Sequence, residues 1–74
     1  MPVVTIQVPL GSLDAAKKAT MIAKVTDAVV EAEGIPAVRG GTLVLIEEIP
    51  DGGWGRAGHA LTLEQMKAAL AGKG

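Results

Sequence analysis

The sequence predicts an α+β chain: a β-α-β unit with parallel strands, then a C-terminal hairpin or loop and a short terminal helix, associating through its sheet faces. Two β-branched apolar segments, Pro2–Val8 and Thr42–Ile49, flank one long pattern of helical period. A strand, a crossover helix and a second strand join right-handed, with the strands parallel. One helix covers only one face of two strands. The other face carries some of Val3, Val4, Leu43, Val44, Leu45 and Ile46 as an open apolar patch, and such patches mark interfaces.

The first strand, PVVTIQV, sets Val4, Ile6 and Val8 against Val3, Thr5 and Gln7, an alternation suited to a half-covered strand. Pro9, Gly11 and Ser12 break it, and Ser12 or Asp14 can accept from the unpaired N–H groups of a helix start. From Leu13 to Glu33, Asp14, Lys17, Lys18, Lys24, Asp27 and Glu31 fall on one side of a helix. Ala15, Ala19, Ile22, Val25, Val29 and Val30 fall on the other. Gly34 suits the left-handed residue that closes a helix, and Pro36 prevents its continuation.

A glycine-rich turn (Arg39, Gly40, Gly41) leads to TLVLIEEI, whose Leu43-Val44-Leu45-Ile46 run is apolar on both faces, as in a strand covered on both sides. Pro50 to His59 is a glycine-dense loop or hairpin. Thr62-Leu63-Glu64-Gln65 has the spacing of a capping box, opening a helix to about Ala71. With no repeat, linker or low-complexity tract, residues 1–74 read as a single domain.

A chain of 74 residues buries only about 60% of its unfolded surface when it folds alone. It has no Cys, so disulfides and thiolate metal sites are excluded, and a lone His59 is a poor start for a zinc site. Oligomerisation is the remaining way to bury surface. The net charge of −1, with both signs interspersed, does not point to a nucleic-acid surface. No apolar run approaches the ~20 residues of a membrane span, and the N-terminus does not read as a signal peptide. The expectation is a cytoplasmic protein with no cofactor and no metal.

Pro2 is the sharpest chemical feature. Removal of Met1 would leave a secondary amine at the start of a strand. An α-amino group titrates near about 7.7–8.0, and apolar surroundings lower that value by penalising the ammonium form. A base poised near the working pH suits proton abstraction α to a carbonyl. With Met1 attached, the same nitrogen is an amide without basicity. The plainer reading of Pro2 is a strand-opening residue that needs no N–H.

Arg56, within Trp54-Gly55-Arg56-Ala57-Gly58, can fork onto a carboxylate; its plainer reading is a solvated loop arginine. Trp54 suits the wall of a small apolar pocket or a plug in a subunit contact. His59 reads as a loop or interface residue. Glu47 and Glu48, adjacent in a strand, point to opposite faces and form no carboxylate pair.

Together these features resemble the 4-oxalocrotonate tautomerase family. The carriers are Pro2 opening PVVTIQV, Gly11 and Asp14 with Lys17 at the helix start, and Thr26-Asp27-Ala28 within the helix. LVLIEEI and the Trp54-Gly55-Arg56-Ala57-Gly58 stretch complete them, in the family's order and near its spacing over residues 2 to about 58. The resemblance implies a β-α-β subunit that dimerises and assembles as a hexamer, a trimer of dimers. It implies an amino-terminal proline base moving a proton in the enol–keto conversion of a small 2-oxo acid or related carboxylate. It also implies arginines that bind carboxylates and polarise the 2-oxo group, and an aromatic residue lining the pocket, a position matched by Trp54.

The family's arginines do not carry over. Ser12 stands where the family has Arg after the helix-start glycine, and the second position falls near Thr42 or Leu43. Arg39 lies three residues before Thr42 and takes that role only if the Gly40-Gly41 turn folds back. Arg56 is the other candidate, reaching across a subunit boundary. A different substrate, or an unlike partner subunit that supplies arginines, fits this departure. Two further readings share the fold: a non-catalytic assembly subunit, and a hydratase or dehalogenase of unsaturated acids with Pro2 as ammonium, which needs a carboxylate to activate water.

Overall fold

The computed structural model describes residues 1–72. The elements run β1 (Val3–Pro9), α1 (Ala15–Glu33), a 3₁₀ helix (Pro36–Gly41), β2 (Leu43–Ile49), β3 (Gly55–Arg56), β4 (His59–Ala60) and α2 (Leu63–Gly72). β1 and β2 form a parallel pair in register from Val3↔Leu43 to Pro9↔Ile49, and β3 and β4 form a small antiparallel hairpin. The predicted β-α-β unit, hairpin and terminal helix are all present.

Local chemistry explains each boundary. Of the two capping candidates Asp14 acts, its Oδ1 accepting from the Lys17 N–H at 2.8 Å. The Ser12 N–H instead donates to the Pro9 carbonyl at 3.0 Å, closing the turn after β1. Gly34 ends α1 at φ 71°, its N–H donating to Val30 O at 2.9 Å. The capping box of α2 is reciprocal: Thr62 Oγ1 accepts from the Gln65 N–H at 3.1 Å, and Gln65 Oε1 accepts from the Thr62 N–H at 3.0 Å. Asp51 Oδ1 accepts from the Leu63 N–H at 2.8 Å and so ties the loop after β2 to the same helix start. At the hairpin tip Ala57 (φ 54°) and Gly58 (φ 83°) are both left-handed, the backbone that lets a tight turn match the strand twist.

Two expectations are corrected. The turn at Arg39, Gly40 and Gly41 is the end of a 3₁₀ helix opened by Pro36, whose fixed φ and missing N–H suit a first turn. The half-buried stripe of α1 is Lys18, Met21, Val25, Thr26, Val29 and Val30, whereas Ala15, Ala19 and Ile22 are exposed. Two strands offer a narrow surface, so only a narrow helical stripe meets it and Ile22 falls at its edge.

The strand alternation is as expected. Val4, Ile6 and Val8 of β1, with Val44 and Ile46 of β2, are half-buried on the α1 side. On the opposite face Val3, Leu43 and Leu45 remain 58%, 54% and 47% exposed, and among the described residues no side chain is fully buried. The chain by itself has a covered face but no closed core, a state that oligomerisation remedies in small chains.

Candidate active site

Pro2 is half-buried at the head of the parallel pair, and its carbonyl accepts from the Leu43 N–H at 3.0 Å, extending the ladder by one bond beyond β1. That bond fixes the backbone beside the prolyl nitrogen. Met1 is 89% exposed, with its thioether over Gly41, where an added Cβ would meet Met1 Sδ at 3.1 Å.

Arg39 belongs to this same end. Its carbonyl accepts from the Thr42 N–H at 3.3 Å, one residue before Leu43. Its guanidinium is paired with the Asp27 carboxylate of α1, and both side chains are more than half exposed. Asp27 thus occupies part of the Arg39 hydrogen-bonding fork and leaves the rest of it open to solvent.

Trp54 and Arg56 belong to the other end. Trp54 lines a cavity of about 350 Å³ with Gln7, Val8, Pro9, Ile49, Gly53 and Met66, at the C-terminal ends of both strands. Its Nε1–H is buried and has no partner among the described residues. Arg56 lines a neighbouring cavity of about 350 Å³ with Leu61, Gln65, Met66, Ala69 and Leu70, and Met66 is common to both. Among the described residues Arg56 makes no ion pair. A strand rises about 3.3 Å per residue, so the step from Pro2 to Gln7 is on the order of 16 Å. Within one chain, the Arg39 backbone belongs to the Pro2 end of the strand pair while its guanidinium turns to Asp27, and Trp54 and Arg56 line a common hollow at the other end.

The charges between these ends are paired. Lys18 Nζ meets Glu48 Oε1 at 2.9 Å on the α1 face, and Gln7 Nε2 donates to Glu47 Oε1 at 3.0 Å on the open face, so the two glutamates diverge as expected. The Lys18 hydrogen bond, helped by its charge and by the Gly11 backbone N–H, holds Glu48 below its usual carboxylate range against the opposing effect of partial burial. Ser12 Oγ, where the family resembled has an arginine, is buried and has no partner among the described residues. His59 pairs with Arg56 in the hairpin ladder, a structural place.

Two contributors escaped the sequence reading. Asp27 is a polar-side residue of α1 by its period, and nothing in its spacing foretells a partner twelve residues on. Met66 carries only the helical period of α2, and its place between the Trp54 and Arg56 cavities comes from how α2 packs.

No described helix is long and apolar enough to cross a membrane. A family model described as "Tautomerase enzyme" matches residues 2–64. No curated protein and no solved structure matches the chain.

Proposed function

The chain belongs to the tautomerase family, and we propose that it is an isomerase of small 2-oxo acids in which Pro2, freed of Met1, is the base. The observation that carries this reading is the position of Pro2: half-buried, directly before β1, and held by its carbonyl accepting from the Leu43 N–H. The secondary amine takes the proton from the enol O–H of the substrate. As the C–O bond becomes a carbonyl, the resulting ammonium returns a proton to carbon, and Pro2 is regenerated. Arg39, at the same end, polarises the 2-oxygen with N–H groups that Asp27 leaves open.

Trp54 supplies the apolar wall and Arg56 the carboxylate contact. The length of strand between them and Pro2 supports a site completed by a second copy of the chain. The open sheet face with Val3, Leu43 and Leu45 supports such an assembly, a homo-oligomer of hexameric size in this reading.

The test is turnover of phenylenolpyruvate and 2-hydroxymuconate by protein whose intact mass shows that Met1 is gone. Pro2→Ala should lower kcat by about 10²–10⁴, the usual worth of a positioned base. Unchanged turnover in that variant removes Pro2 from the mechanism.

A further inference from the structure

We infer that the substrate carries one carboxylate on an apolar body, a class of acid that the uneven pairing of the two arginines selects; this rests on the proton-transfer reading above. Arg39 and Arg56 are the only arginines of the chain. Arg39 already holds a carboxylate, that of Asp27, so a second anion there would compete with Asp27, whereas a carbonyl oxygen can accept from the N–H groups that Asp27 leaves open.

Arg56 has no ionic partner among the described residues, and neither of the cavities it lines, one with Leu61 and Met66 and one with Trp54 and His59, contains an acidic side chain. The adjoining Trp54 cavity contains none at all: Val8, Pro9, Ile49, Trp54 and Met66 are apolar, and Gln7 is neutral. The remaining lysines among the described residues do not alter this balance. Lys18 is committed to Glu48, Lys17 and Lys24 line a separate groove along α1, and Lys67 lines neither of the two cavities.

A site built from these parts thus presents one uncompensated guanidinium, one compensated guanidinium and an uncharged wall. A second carboxylate would have to lie against that wall or displace Asp27. The first costs the solvation of a charge and the second breaks an existing pair. A monoacid meets neither obstacle, and its apolar body gains the Trp54 and Met66 surfaces.

Trp54 is the only tryptophan, so its fluorescence reports on its own cavity. Titration of the Met1-free oligomer with 3-phenylpropionate and with adipate, two unreactive acids of one and two carboxylates, reads the preference without turnover. We expect the monoacid to bind about tenfold more tightly, and Arg56→Gln to weaken it by about tenfold, the worth of one charge-assisted contact. Asp27→Asn, which frees Arg39, should narrow the gap by tightening adipate. Adipate binding as tightly as the monoacid, or a monoacid affinity indifferent to Arg56→Gln, overturns the inference.

The kcat/KM values for phenylenolpyruvate and 2-hydroxymuconate separate this inference from the reading beneath it. Pro2-dependent turnover that favours the diacid overturns the inference and leaves the proton-transfer reading standing. Monoacid binding without Pro2-dependent turnover of either enol removes that reading and leaves the preference for a monoacid in place.

Discussion

Pro2 and Trp54 stand at opposite ends of the same parallel strand pair: the Pro2 carbonyl closes the ladder on Leu43, while Trp54 lines a cavity with Pro9 and Ile49, the last residues of the two strands. In a parallel pair, the segments entering both strands lie at one end and the segments leaving both strands lie at the other. An antiparallel pair would have brought the two regions to one end.

The first prediction rests on this separation. Pro2→Ala and Arg56→Gln chains, each of low activity alone, should recover activity when unfolded together and refolded as mixed oligomers. If each site takes Pro2 from one chain and Arg56 from another, random mixing of equal amounts restores about a quarter of the sites. Initial rates of the mixture against the two pure variants measure this, and no recovery would place both residues on one chain.

The open sheet face sets the second. Leu45→Glu places a charge beside Leu43 and Val3 on the face away from α1. Burying a leucine contributes about 1.5–3 kcal/mol, and an unpaired carboxylate opposes burial altogether. The variant should elute as a smaller species with its mass reduced by light scattering, and its turnover should fall with the loss of assembly. Retention of the wild-type mass would show that this face is not an interface.

The Lys18–Glu48 pair gives a pH dependence. Glu48 is held below its usual range in the folded chain, so it binds fewer protons folded than unfolded as the pH falls through the carboxylate region. Its contribution to stability is complete above the unfolded value of about 4.3 and is lost as the pH drops through its lower folded value. Glu48→Gln should therefore melt below wild type at pH 7, with the difference shrinking in more acidic buffer. Because both side chains are about a third exposed, the effect should be small and should weaken further with salt.

Gly55 tests the hairpin without touching the chemistry. A Cβ at this position would overlap the His59 carbonyl oxygen and come within 3.0 Å of the His59 carbonyl carbon and 3.1 Å of Ala60 Cα, all backbone atoms that cannot swing aside. Gly55→Ala should separate β3 from β4 and displace Arg56. Far-UV circular dichroism should stay near wild type, since α1 and the β1–β2 pair are not involved. The KM should rise with a smaller change in kcat, because the prolyl base lies at the other end of the sheet.

Much of this molecule is legible in residue order alone. The alternation of Val4, Ile6 and Val8 against Val3, Thr5 and Gln7 assigns faces that the structure reproduces, because the two-residue period of a strand is a backbone property. The Gly34 close of α1 and the Thr62–Gln65 capping box are equally local. The exposed Val3, Leu43 and Leu45 follow from counting faces: one helix and two strands leave one side open. Elements, caps and two-faced character all arise from interactions within a few residues.

Periodicity could not supply the relations between elements. The side of α1 that meets the sheet is rotated from the sequence expectation so that Lys18 reaches Glu48, a choice that depends on the narrow width of a two-stranded sheet. The pairing of Arg39 with Asp27, and hence which arginine has a carboxylate partner, depends on the 3₁₀ helix turning back toward α1. The seat of Met66 between Trp54 and Arg56 depends on where Asp51 anchors α2. Which charges are paired, and which end of the sheet each candidate residue occupies, are thus settled by packing between distant segments, a long-range geometry that no local pattern encodes.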